Sequence, residues 1–165
     1  MPAWSTEIAN EFIARAQEKG RALTPMQLQK LVYIAHAWNL VINNAPLTRD
    51  NPQAWDYGPV YRDLWEALRK YGKDEVTRLI LYGDYTRGWM EEVPRNPAMA
   101  GLLSQEKEVL DRVFDDYGRF HAYQLSALTH EPGTPWAKIY ADGAGKNQEI
   151  RPEMIKDYFV DLAKS

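Results

Sequence analysis

The chain is 165 residues long, 45% apolar and 26% charged, enough for one domain of ordinary size and too short for two comfortable ones. Lys and Arg number 20 against 23 Asp and Glu, a formal charge of −3, which argues against a domain that grips nucleic acid by its phosphates. Cysteine is absent, which excludes disulfides, thiol nucleophiles and thiolate metal sites, and no run reaches the roughly 18–20 uncharged apolar residues of a membrane helix.

The opening residues Met1-Pro2-Ala3-Trp4 have neither a basic nor an apolar leader pattern, so no secretory signal is expected and a cytoplasmic location is. Ser5 or Thr6 is expected to cap a first helix whose Ile8, Phe12, Ile13 and Ala16 share one face and which stops at Gly20. Thr24-Pro25-Met26-Gln27 has the threonine, first-turn proline and glutamine of a capping box, and starts a second helix reaching about Asn43. Its stripe of Leu28, Leu31, Ala35, Trp38 and Ile42, widened by Ile34 and Val41, predicts a central helix packed on at least two neighbours. Gln29, His36, Asn39 and Asn43 fall on the opposite side.

After the turns at 43–46 and 50–52 comes a short extended stretch, 53–57. Gly58-Pro59 then predicts the start of a third helix spaced by Val60, Leu64 and Leu68. A short helix over 74–82 is expected to carry Val76, Leu79 and Ile80. From Gly83 to Gly101 the periodicity is lost, and this excursion holds at most a small β-hairpin. Ser104 is expected to cap a helix with Val109, Leu110, Val113, Phe114 and Tyr117 inward, followed by a helix over about 122–129 and a short one opened by Thr134-Pro135. Pro152 begins the last, with Ile150 and Ile155 placed as a hydrophobic staple. The expected fold is therefore all-α, one domain over 1–165 of seven to eight short helices.

Nothing in the chain reads as a reactive constellation. Gly143-Ala144-Gly145-Lys146-Asn147 lacks the first glycine, the hydroxyl residue and the preceding strand of a phosphate loop, and is expected to be a turn. His36, His121 and His130 have no metal spacing, so neither metal nor cofactor is expected. His130, near a helix end, is expected to meet terminal carbonyls; a small hydrolase using His130 or His121 is the third-ranked reading and requires a deep pocket around the histidine. What remains is contact surface: six Trp, ten Tyr and four Phe, with Trp55, Tyr57, Tyr61 and Trp65 clustered around Gly58-Pro59. Trp55 and Trp136 are expected in the core, and Tyr61 and Arg62 at the surface. Arg62, Arg69, Lys70 and Lys73, interleaved with Asp63, Glu66, Asp74 and Glu75, read as a solvated face.

Three blocks carry a resemblance. Pro25-Met26-Gln27-Leu28-Gln29-Lys30-Leu31-Val32-Tyr33-Ile34-Ala35-His36-Ala37-Trp38, then Ala54-Trp55-Asp56-Tyr57-Gly58-Pro59-Val60-Tyr61, then Leu125-Ser126-Ala127-Leu128-Thr129-His130 with Pro135-Trp136, resemble the ordered motifs of the Panacea domain family of SocA-like antitoxins and prophage GepA-type proteins. The resemblance implies a non-enzymatic antitoxin that neutralises a cognate protein toxin by direct binding. The alternative it carries is a proteolytic adaptor, with an ATP-dependent protease as second partner, or another phage-borne interaction module. A homodimer through a spare helical face is left open. No helix-turn-helix follows the motifs, so direct nucleic-acid binding is not expected. Leu28, Leu31, Tyr33, Trp38 and Trp136 read as scaffold; Tyr57, Pro59, Tyr61, Arg62 and His130 are the candidates for partner binding.

Overall fold

The computed structural model describes residues 2–85 and 96–165. Among them run seven α-helices and one two-stranded hairpin: α1 (Ser5–Glu18), α2 (Pro25–Ile42), β1 (Gln53–Trp55), β2 (Gly58–Val60), α3 (Arg62–Leu68), α4 (Ser104–Tyr117), α5 (Ala122–His130), α6 (Pro135–Tyr140) and α7 (Pro152–Lys164). The mostly helical architecture is the expected one.

The axis of the molecule is α2. Its start is the capping box read from sequence: the Thr24 N–H donates to Gln27 Oε1 at 2.8 Å and the Gln27 N–H to Thr24 Oγ1 at 3.3 Å. Helices α1, α3, α4, α5 and α7 and strand β2 all pack on it. Such a surround leaves no solvent side. Gln29, Lys30, His36 and Asn39 are therefore buried with most of the apolar stripe, while Pro25, Met26 and Gln27 of the first turn, Trp38 and Val41 are half-buried and Ile42 is exposed.

Other helix starts differ from expectation by local chemistry. α1 is capped one residue early, where the Trp4 N–H donates to Glu7 Oε1 at 2.8 Å, because Ser5 turns inward and its N–H donates to Asp50 Oδ1 at 2.8 Å. α4 likewise begins after Leu103, whose N–H donates to Glu106 Oε1 at 2.8 Å. The staple before α7 is present, with Ile150 and Ile155 both fully buried.

Two expectations are corrected. Gly58-Pro59 does not open a helix: Gly58–Val60 pairs antiparallel with Gln53–Trp55, Trp55 opposite Gly58 and Gln53 opposite Val60, and α3 starts only at Arg62. Gly58 sits at φ +112°, which suits a hairpin and bars a first helical turn. Residues 74–80 form no helix either, since their backbone groups are claimed from outside. The Val76 N–H donates to the Leu23 carbonyl at 2.8 Å and the Ile80 N–H to Asn10 Oδ1 at 2.7 Å, so Val76 and Ile80 reach the core without helical periodicity.

The hairpin of this fold thus lies at 53–60. In the 83–101 excursion, residues 86–95 lie outside the described residues. Its flanks pair: Tyr82 N–H donates to the Asn96 carbonyl at 3.0 Å and Ala98 N–H to the Ile80 carbonyl at 2.9 Å, with Leu81 bridging Pro97. One apolar cluster runs from Ala3 to Phe159, and α7 closes it by setting Phe159 edge-on to Tyr33 and Trp38, at 6.2 and 5.3 Å.

Candidate functional site

The β1–β2 hairpin is where the sequence blocks meet. Four side chains from three other elements donate to four alternate carbonyls along its course. Trp136 Nε1 on α6 reaches the Trp55 carbonyl at 2.6 Å, and Ser126 Oγ on α5 the Tyr57 carbonyl at 2.8 Å. Lys30 Nζ on α2 reaches the Pro59 carbonyl at 2.9 Å, and Gln29 Nε2 the Tyr61 carbonyl at 3.0 Å. Gln29 completes its pair by accepting the Tyr61 N–H at 2.8 Å. Trp55 ends β1, Tyr57 is in the turn, Pro59 lies in β2 and Tyr61 just follows it, so the four bonds follow the chain around the bend and fix the turn as well as the strands.

Tethering leaves no room at Gly58. A Cβ there would lie 2.9 Å from Lys30 Nζ and 3.3 Å from Thr129 Oγ1. The other edge of the hairpin is covered by 147–150, where the Ala54 N–H donates to the Gln148 carbonyl at 2.8 Å. The turn is held as well: Asp56 accepts from the Tyr140 hydroxyl at 2.7 Å and from Lys146 Nζ at 3.0 Å. Those bonds lower the Asp56 carboxyl below its usual range, the Tyr140 bond most. Lys146 comes from the glycine-rich stretch, which is the expected turn.

At the tip of this fixed hairpin Tyr57 is 71% exposed. Tyr61 is not. It is completely buried, 0% exposed, its hydroxyl 3.2 Å from Thr48 Oγ1, so its expected surface position is corrected. A residue one step off the inward-facing Val60–Leu64–Leu68 stripe of a helix would be exposed, but Tyr61 precedes α3 and turns inward. Pro59 is buried too, Arg62 is exposed, and His130 is half-buried.

His130 does what a helix-end histidine is expected to do. Its Nδ1 contacts the Ser126 carbonyl, and its ring stands edge-on to Trp136 at 5.5 Å. Trp136 is buried, stacked on Tyr140 at 4.5 Å, and Trp55 is half-buried. His121 is exposed and caps α5, accepting the Tyr123 N–H at 3.4 Å.

Beside the hairpin lies a groove of about 630 Å³, walled by Met26, Trp55, Val60, Trp65 and Leu68. Gln29 and Lys30 form its inner side, and Arg69 and Lys146 also line it. Trp65 is 37% exposed, packs edge-on to Trp55 at 5.5 Å and carries the Arg69 guanidinium 5.5 Å from its ring centre. Lys30 is only 1% exposed, and burial lowers its ammonium to about 7. Neither His121 nor His130 lines this groove. Sequence periodicity placed Lys30 on the helix and could not show its burial; the 4-residue spacing of Trp65 and Arg69 was the available signal for their pairing.

With the geometry in view, the chain matches the family model of the antitoxin SocA-like Panacea domain over residues 28–137, two thirds of its length. The chain belongs to that family. Antitoxin SocA of Caulobacter vibrioides (strain NA1000 / CB15N) is similar to it, 29% identical over 158 residues that cover 92% of this chain and 80% of that protein. No solved structure matches. The matched Panacea span, 28–137, begins on the buried face of α2 and ends just past Trp136, so it encloses all four tethers of the hairpin. Among the described residues of this Panacea protein no group of His, Asp and Glu is arranged to hold a metal, and no helix is long and apolar enough to cross a membrane.

Proposed function

We propose that this Panacea protein is an antitoxin that binds a cognate protein toxin directly in the cytoplasm and blocks it without catalysis of its own. The observation that carries the reading is the hairpin: residues from the first and third motif blocks immobilise the backbone of the second and hold Tyr57 outward. An exposed aromatic on an already ordered backbone is the arrangement an interface anchor needs, because little conformational entropy is lost on docking. Tyr57 is the central contact, with Arg62 and half-buried His130 as flanking candidates. Buried Tyr61 and Pro59 contribute by supporting the tip. Similarity to antitoxin SocA supports the class of partner.

Co-expression in a heterologous host tests this. The gene beside this one, induced alone, is expected to arrest growth, and the Panacea protein is expected to restore it and to elute with the neighbour's product. Tyr57→Ala is expected to weaken that complex by about 2 kcal/mol or more, roughly thirtyfold in Kd. Failure of the intact protein to bind or rescue would overturn the reading. Rescue seen only in cells with an active ATP-dependent protease would replace it by the adaptor function.

A further inference from the structure

The groove next to the hairpin is larger than a packing defect and unlike the rest of the molecule in charge. Its volume of about 630 Å³ is within the roughly 300–1,000 Å³ range of sites that enclose a ligand. Its lining includes three basic side chains and one carboxylate, Asp56. The buried Lys30 amine is taken by the Pro59 carbonyl and its charge is disfavoured, which leaves Arg69 and Lys146 as the cations of the rim. Both oxygens of that carboxylate are already engaged, by Tyr140 and Lys146. Lys146 and Asp56 form an ion pair, so the rim carries a net +1, from Arg69, on a chain whose formal charge is −3. Between the cations stand Trp55 and Trp65, set edge to face with Trp65 reaching solvent.

We infer that this groove receives a segment of the toxin in which a large apolar side chain stands beside a carboxylate. The apolar side chain fills the space against Trp55, Trp65 and Leu68, and the carboxylate meets Arg69 at its margin. The inference rests on the antitoxin reading and adds the chemistry of the partner's docking segment. An apolar segment without an acid leaves Arg69 unanswered, and an acidic segment without a bulky side chain leaves the aromatic walls wet. Complementary charge mainly sets encounter rate and partner choice, while the filled apolar pocket sets residence time.

The test uses two capped peptides, Ac-Asp-Phe-Leu-Asp-NH2 and its uncharged twin Ac-Asn-Phe-Leu-Asn-NH2, titrated into the full chain while the indole N–H resonances of Trp55 and Trp65 are followed by NMR. The acidic peptide is expected to move both resonances and to bind at least about tenfold tighter than the twin. Arg69→Glu, confirmed as folded by its unchanged thermal midpoint, is expected to abolish that preference. Trp65→Ala is expected to weaken both peptides. Equal binding of the two peptides, or no movement of either resonance, overturns the inference. So does hexanoate binding as tightly as the acidic peptide, which would make the groove a site for a free small carboxylate.

Rescue of growth separates this from the antitoxin reading itself. If the unaltered protein rescues and Arg69→Glu does not, both stand. Equal rescue by Arg69→Glu and the unaltered protein removes the groove from toxin binding and leaves the antitoxin reading intact. Absence of rescue by the unaltered protein removes the antitoxin reading, and with it the toxin as occupant of the groove.

Discussion

His36 shows how a polar residue becomes structural once a helix is fully surrounded. Its Nδ1 accepts the Leu47 and Thr48 N–H groups, each at 3.2 Å, and thereby closes the loop that follows α2. With Nδ1 accepting, the neutral ring carries its proton on Nε2, which has no partner among the described residues. A second proton would have to sit on Nδ1, facing two donors in a buried site. Burial accordingly lowers the imidazole to about 4 from an ordinary 6.5. The unfolded chain then binds a proton at a pH where the folded one does not, so stability is complete above pH 6.5 and is lost as pH falls toward 4. Urea unfolding at pH 7 and pH 5 should show the midpoint falling. His36→Leu, which orphans two N–H groups, should cost about 1–3 kcal/mol at pH 7 and flatten the pH dependence. Lys30 follows the same logic with a different outcome: an amine expected at a helix surface is spent on one carbonyl of the hairpin, and its charge is disfavoured where it sits.

Among elements, the pairing of 80–82 with 96–98 depends on one side chain from α1. Asn10 Nδ2 donates to the Ile80 carbonyl at 2.9 Å and the Ala98 carbonyl at 2.7 Å, while its Oδ1 accepts the Ile80 N–H. Asn10 is buried although it lies two positions from both Ile8 and Phe12, off the stripe, where periodicity alone predicts a solvent-facing residue. Its fit comes from strands that could not be inferred locally, which is also why the expected helix over 74–82 does not form. Asn10→Ala leaves the Ile80 N–H unpaired and should destabilise by about 1–3 kcal/mol. Amide exchange at Ile80 and Ala98 should accelerate more than at Leu31 in the centre of α2. A uniform change across all three amides would show that the two arms have no stability of their own.

At the scale of the molecule, α2 passes through the protein and the other helices close around it. α7 is the last element in the chain to cover it, and Phe159, set against Tyr33, Trp38 and Tyr158, is the residue by which it does so. Phe159→Ala should cost about 3–5 kcal/mol. Because one apolar cluster joins α7 to α1, the loss should appear as a lower single transition, coincident by tryptophan fluorescence and circular dichroism. Separate transitions by the two probes would show that α7 melts by itself.

The starts of α2, α6 and α7, the apolar stripes of α1 and α4, and the family to which the three blocks belong were legible in the residues, because caps, prolines and 3.6-residue periodicity act over a few positions. What Gln29, Lys30, Ser126 and Trp136 do was not. They lie up to 107 positions apart, from 29 to 136, and become one device only where α2, α5 and α6 bring them to the carbonyls of Trp55, Tyr57, Pro59 and Tyr61, through the hairpin and just past it. The same juxtaposition buried Tyr61, left Tyr57 in solvent and opened the groove. Local sequence sets which side chains can donate a hydrogen bond; only packing between distant elements decides which carbonyl receives it.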